Sequence, residues 1–514
     1  MTQKSPWPAI GLALGIAALI FGSAAMLAAR AESWALAPAD LAALRFTLLQ
    51  AALSAGLSAL LAIPVARALF RRRFPLRGPL IGLMAAPFAL PFVVAVLGLL
   101  AIFGRSGPVN LALAAAGLPP FSIYGLHGVV LANVFFNLPL ATRMLLHGWH
   151  AIPAERFRLA QSLSMPPATQ FRHLELPMLR AQIPGIAVAV FLICLTSFAI
   201  SLTLGGGPKA STLELSIYQA LRFDGDLGRA ALLALLQFGL CALVTLAATR
   251  LTLPEGFGAG LARGGIAPAP KGWRRAADAT AITLAALFLL TPLLAALIKG
   301  LPGLADLPGG VWPALARSVV VALGSALLTV VAALTLALAA AQSRGRGRWI
   351  DFAAMLPLSA SGLVLGTGLF LALRPFARPE DLALAVTLLD NALLSLPYVY
   401  RLLLPSARQV RANYARLTGS LGLTRATALR HVTLPLLARP LGYGAGLAAA
   451  LSMGDLGVIT LFAGERGVTL PLLVQQLIGA YRMDQAAAVA LILVAASFTL
   501  FLGLDRCGAR YADA

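Results

Sequence analysis

The feature that most constrains this chain is a series of twelve apolar stretches. They lie near 8–29, 44–69, 79–103, 122–146, 182–204 and 228–250, then near 276–298, 317–341, 350–373, 381–404, 440–463 and 484–505. About 20 apolar residues match a hydrocarbon core of about 30 Å. Lipid offers no partner to open backbone groups, so each stretch is expected to be a helix. Prolines inside them, such as Pro87, Pro139 and Pro357, are tolerable in that setting. The first stretch is long for a signal peptide and is preceded only by Lys4, so it reads as a retained helix. Only 11% of the residues are charged, against about 25% in soluble proteins. The chain therefore reads as an all-α membrane protein of about twelve transmembrane helices.

The net charge of +21 invites a nucleic-acid reading, and its distribution answers it. With both termini placed in the cytoplasm, cytoplasmic segments hold 28 Lys and Arg against 7 Asp and Glu. External segments hold 12 of each. The whole excess falls on one side, which is the positive-inside pattern. Arg71-Arg72-Arg73, Arg344, Arg346 and Arg348, and the arginines from Arg401 to Arg439 supply much of it. Such charge sets topology and favours anionic inner-leaflet lipid. No soluble segment remains to bind nucleic acid.

The chain also repeats itself. Residues 138–179 align with 396–437 at a constant shift of 258. Leu138-Pro139 meets Leu396-Pro397, Arg143 meets Arg401, and Arg158-Leu159 meets Arg416-Leu417. Arg172-His173 meets Arg430-His431, and Leu176-Pro177 meets Leu434-Pro435. Matched Arg, His and Pro are not an accident of an Ala/Leu-rich composition. Six stretches per half put both copies of this segment on one face, as parallel repeats about an axis along the membrane normal. The expected division is a first half over 1–255, a Pro/Gly-rich linker over 256–275 and a second half over 276–514.

The repeated loop, about 150–180 and 408–438, reads as a helix, a break and a short second helix ending at Leu-Pro. Leu159, Leu163, Phe171 and Leu174 lie among polar residues, as on a surface helix that docks against something. A helix lying on headgroups would look similar. The pattern resembles the "EAA" loop of binding-protein-dependent importer permeases. Its terminal Leu-Pro is Leu176-Pro177 and Leu434-Pro435, and its Gly position is Ser164 and Gly422. Its Glu position is Arg158 and Arg416, a departure in both copies. The resemblance implies the permease fold of type I ABC importers. It implies that Arg158, Leu159, Leu163, Ser164, Leu176 and Pro177, with Arg416, Leu417, Leu421, Gly422, Leu434 and Pro435, couple to two copies of an ATP-binding subunit. It also implies a periplasmic solute-binding protein and a bacterial inner-membrane location.

Within that family the chain resembles the thiamine-importer permeases. The likeness is strongest from Ser197-Phe198-Ala199 to Leu204-Gly205-Gly206-Gly207-Pro208. It runs on through Thr212–Leu221 and Arg229–Leu235, and returns at Met453-Gly454-Asp455 and Leu470-Pro471 with Gln475-Gln476. The implied cargo is thiamine, with its phosphates open. A ferric-iron permease is the nearest alternative, and a secondary transporter the next.

Absences bear on the chemistry. None of the four lysines sits in a phosphate-binding P-loop, so ATP and Mg are expected on a partner chain and no cofactor on this one. Cys194, Cys241 and Cys507 lack metal-ligand spacing, and no metal site or catalytic group is expected. A proton-coupled carrier would place acids deep in its spans. Here only Asp390 and Asp455 lie inside. Ser197, Phe198 and Asp455, related across the repeat, are candidates for a substrate path. Residues 211–222 and 469–480 recur after Gly/Pro-rich loops. They read as re-entrant or interfacial helices, with Tyr218, Gln219, Gln475 and Gln476 as candidate binding-protein contacts.

Overall fold

A computed structural model describes residues 7–31, 34–84, 90–207, 210–249, 272–343, 347–464 and 467–513. Pro87, Pro208, Lys209, Arg344, Arg346, Glu465 and the expected linker up to Lys271 lie outside the described residues. The first half runs α1 (Trp7–Arg30), α2 (Pro38–Arg71), α3 (Arg77–Leu83), α4 (Phe92–Phe103), α5 (Pro108–Ala115), α6 (Leu126–Ala151), α7 (Ala154–Ser162) and α8 (Pro167–Gln170). It closes with α9 (Leu176–Leu195), α10 (Phe198–Leu204), α11 (Leu213–Gln219) and α12 (Leu227–Thr249). The second half runs α13 (Trp273–Gly303), α14 (Val311–Gln342), α15 (Gly347–Met355), α16 (Gly362–Leu373), α17 (Pro379–Ser420) and α18 (Arg425–Ala428). It closes with α19 (Leu434–Met453), α20 (Gly457–Phe462), α21 (Leu470–Gly479) and α22 (Met483–Asp513). Among the described residues, eleven helices are long and apolar enough to span a membrane. A bent pair, Trp349–Ser359 with Gly362–Leu373, makes a twelfth span.

Polarity is arranged for lipid. Leu14, Leu60, Ile298 and Leu327 are exposed on outward helix faces, whereas Gln50, Asn133, Asn137 and Asn391 are buried. Buried amides bond across helices, as Asn133 does to Gln50 at 2.8 Å and Gln50 to the Cys194 carbonyl at 2.8 Å. Such bonds hold membrane helices together where apolar contact gains little over lipid.

The first helix of each half packs on the other half. α1 lies against α14, α15 and α16, and α13 against α2 and α4. The two crossings match in detail. Gly98 of α4 backs onto the Pro292 backbone of α13, and Gly368 of α16 backs onto Ser23 of α1, with no room for a Cβ at either glycine. Arg72 and Asp278 add an inter-half ion pair at 3.2 Å. A second matched pair fixes the short helices. The Thr47 hydroxyl accepts the Leu213 amide at 2.9 Å, and the Ser318 hydroxyl accepts the Leu470 amide at 2.8 Å.

Four stretches expected as single spans are each two helices. The stretch 79–103 holds α3 and α4, and 182–204 holds α9 and α10. The stretch 350–373 holds α15 and α16 at an 88° bend, and 440–463 holds α19 and α20. Local chemistry explains the breaks. Pro91 lacks an N–H and opens α4. Ser361 caps α16 by accepting the Val364 amide at 3.2 Å. Pro357, expected inside a continuous helix, sits in a short tight turn instead. Pro139 is accommodated within α6 as expected.

Candidate translocation cavity and coupling loops

The four breaks converge. Leu90, Thr196 and Ser197, Ala360 and Ser361, and Gly454, Asp455 and Leu456 all line one cavity of about 290 Å³ between the halves. Broken helices leave backbone groups unpaired, and such backbone is tolerated at membrane depth only where it lines a cavity or is buried in protein. Residues related by the 258 shift face the cavity from both sides. Asn133 pairs with Asn391, Asn137 with Ser395, and Leu140 with Tyr398. Ser197 pairs with Asp455 in the same way, and Phe198 lies beside it. The three path candidates are thus brought together at one place.

Asp455 stands at the joint of α19 and α20. Its Oδ1 accepts the Gly457 amide at 3.1 Å, and its Oδ2 has no partner. No ion pair links Asp455 to Arg482 among the described residues. Two further buried acids belong to this region. Glu214 on α11 lines the cavity, is 2% exposed, and has Oε1 without a partner. Asp390 on α17 is fully buried with both oxygens unpartnered, behind Gly362 of the cavity wall. Glu214 lies in the short helix α11, far from Asp390 in sequence, and only the packing of α11 against α16 of the other half reveals it. The asparagine pair was open to discovery by the 258 shift.

The cavity's outer side is crossed by Thr203 of α10, which donates to Gln475 Oε1 of α21 at 3.3 Å. Tyr218 is half-buried, in edge contact with Phe198 at 5.4 Å and Phe223 at 5.7 Å between ring centroids. Gln219 and Gln476 are exposed. α11 and α21 are inserted rather than superficial, since Leu213–Ile217 and Leu470, Pro471, Leu472, Val474 and Leu477 are buried.

The repeated loops share one turn. After α7, the Met165 amide reaches back to the Ala160 carbonyl at 3.0 Å, with Ser164 at φ +50°. After α17, the Leu423 amide reaches the Thr418 carbonyl at 3.2 Å, with Gly422 at φ +63°. This is a Schellman-type helix end, which favours glycine at the left-handed residue. Leu159 and Leu163 are 60% and 61% exposed, and Leu417 and Leu421 are 52% and 64% exposed. Each pair sits one helical turn apart and forms an apolar patch outside the bundle. Phe171 and Leu174, expected on the same face, are half-buried. The Arg158–Glu155 pair, at 2.9 Å, is more than 70% exposed on both sides and contributes little.

Two expectations about the loop are corrected. The second short helix does not end at Leu-Pro. Leu176-Pro177 and Leu434-Pro435 occupy the first turn of α9 and α19, entered through wide turns at 171–175 and 429–433. Proline suits that first turn because its missing N–H would have no helical partner there. The two copies also differ. Pro153 separates α6 from α7, whereas its counterpart Arg411 lets α17 run unbroken to Ser420.

Glu175 anchors the first loop. It is buried, accepts Arg67 at 2.6 and 3.0 Å and Arg71 at 2.9 Å, and accepts the Trp149 indole N–H at 3.2 Å. Arg67 also lies over the Phe171 ring at 4.6 Å.

Two pseudo-symmetric helical halves enclosing a largely apolar cavity with a few buried polar groups form an all-α membrane permease. Residues 333–505 match the family model described as "Binding-protein-dependent transport system inner membrane component". The chain is 39% identical over 430 residues to the thiamine transport system permease protein ThiP of Salmonella typhimurium, covering 82% of this chain and 80% of that protein. It is 40% identical over 428 residues to ThiP of Escherichia coli, covering 81% and 80%. The figure for ThiP of Haemophilus influenzae is 35% over 426 residues, covering 80% and 78%. The chain belongs to the family of thiamine transport system permease proteins.

Proposed function

We propose that this chain is the membrane subunit of an ATP-driven importer that moves thiamine from a periplasmic binding protein into the cytoplasm. The observation behind this reading is the asymmetrically acidic cavity between the two halves, in a chain of this family. Thiamine is a cation with aromatic faces, and among the described residues the cavity offers carboxylates and rings but no Lys, Arg or His. The units 1–255 and 276–514 act as the two permease halves, joined at 256–275. ATP and Mg belong to two copies of a separate ATPase. These grip the exposed Leu159/Leu163 and Leu417/Leu421 patches, and the sites around them carry over from the family loop. Their closure changes the relation of the halves, and cargo moves only because contacts differ between the two states.

Asp455→Asn keeps the shape and removes a charge. Thiamine uptake into vesicles rebuilt with all partners is expected to fall at least about tenfold, with expression and ATPase association unchanged. Uptake at the wild-type level would reject Asp455 as part of the path.

The inner-membrane topology, with both termini cytoplasmic, is tested by single cysteines labelled from each side. Positions 72 and 158 are expected to react only from the cytoplasmic face, and 105 only from outside. Labelling of 105 and 158 from the same face would overturn it.

The binding protein is proposed to dock over α11 and α21 at Tyr218, Gln219, Gln475 and Gln476. Photocrosslinkers at 218 and 476 are expected to capture it in an ATP-trapped complex, and complete absence of adducts would reject this face.

A further inference from the structure

We infer that the permease holds its own binding site for an organic cation with a flat ring, formed at the central cavity by Glu214 and Asp455 with the rings of Phe198 and Tyr398, and backed by Asp390 buried behind Gly362. The inference rests on the thiamine reading for its probe, but its content is the site. Delivery by a binding protein does not require one, because a permease can pass cargo without holding it.

The argument begins with what these acids lack. Four carboxyl oxygens are buried without a partner: both of Asp390, Oε1 of Glu214 and Oδ2 of Asp455. Leaving such groups unmet costs several kcal/mol each in a medium without water. Among the described residues no arginine, lysine or histidine lines the cavity to offset their charge. Carboxyls in this arrangement hold protons or receive a cation, and like charges this close resist joint ionisation.

Asp390 lies directly behind the cavity wall, packed against the backbone of Gly362. A Cβ on Gly362, which lines the cavity, would come within 2.9 Å of Asp390 Oδ2. Glu214 is positioned on its other oxygen by the Ser361 hydroxyl and the Phe198 amide, which leaves Oε1 for a ligand. Phe198 and Tyr398 line the same cavity, as do Phe92 and Phe136, in contact at 4.5 Å between centroids. Carboxylates with aromatic faces select a delocalised cation over a small hydrated one. A volume of about 290 Å³ suits a small organic molecule.

The site is single. At the 258 shift, Asp390 meets Ala132 and Asp455 meets Ser197, and no acid answers Glu214 near Pro471. One cation per transporter is expected, bound off the pseudo-axis.

The test uses the complete permease–ATPase complex in lipid nanodiscs, without binding protein, and radiolabelled thiamine. Saturable one-to-one binding is expected for the wild type, with none for thiochrome, the neutral ring-closed form. Asp390→Asn and Glu214→Gln are each expected to weaken binding at least about tenfold. Their melting temperatures should equal or exceed that of the wild type, because the amides keep the shape of buried acids whose unpartnered oxygens hold nothing in the fold. A lowered melting temperature in both would assign the acids a structural role and overturn the inference. So would the absence of saturable wild-type binding, or equal binding of thiochrome. If thiamine import with all partners is normal in those cases, the cargo reading survives and the site alone fails. If thiamine binds but is not imported with all partners present, the cargo reading fails and the site stands.

Discussion

Glu175→Ala is expected to lower the stability of the permease by roughly 3–5 kcal/mol, the cost of breaking a buried ion pair from one side. The substitution strands Arg67 and Arg71, which are 27% and 13% exposed, beside an apolar bundle. It also frees the Trp149 N–H and loosens the entry to α9, just after the first coupling loop. Thermal unfolding of the detergent-solubilised protein should show a large fall in melting temperature. Glu175→Ala combined with Arg71→Met should recover part of it, because one stranded charge is gone. A melting temperature equal to the wild type in the single variant would refute this account. At the 258 shift Glu175 meets Thr433, so no carboxylate recurs at this place in the second half.

Leu163→Asp and Gly422→Pro are expected to leave a folded permease that no longer associates with its ATPase. Leu163 is already 61% exposed, so its replacement disturbs no packing within the chain. Its loss should weaken a docked interface at least about tenfold, as for an apolar anchor. Gly422 has open space around its Cα and φ +63°. Proline fixes φ near −65° and removes the N–H that Gly422 donates to the Gly419 carbonyl at 3.2 Å, so the turn must reorient. Co-purification with the ATPase reads both outcomes, and thermal stability near that of the wild type confirms that the fold is intact. Undiminished co-purification of both variants would remove these turns from the interface.

The spans were legible because lipid imposes length and apolarity on each one, and the repeat was legible because Arg, His and Pro recur at fixed spacing. The breaks were not. A window of apolar residues reads the same whether Ser361 caps a new helix within it or not, since a single hydroxyl decides. Ser197 and Asp455 were found at the cavity because the repeat register pairs them. Glu214 escaped because its helix, although flanked by turn-rich loops, packs on α2, α10 and α12 of its own half and also reaches α16 of the other half. Local sequence carries no sign of that packing. The Glu175 cluster escaped for a related reason: its arginines come from α2, more than 100 residues away.

The covalent joining of the two halves has a further consequence at the acids. In a permease made of two identical chains, every substitution near the dyad is made twice. Asp390, Glu214 and Asp455 would each face a copy of themselves across the same small volume, and repulsion would double at every step toward an acidic lining. A fused chain escapes that rule. Ala132 and Ser197 can stay neutral opposite Asp390 and Asp455, so one side changes while the other keeps the helices packed. Duplication within one gene thus supplies a scaffold that is symmetric in its backbone and free to be lopsided in its chemistry.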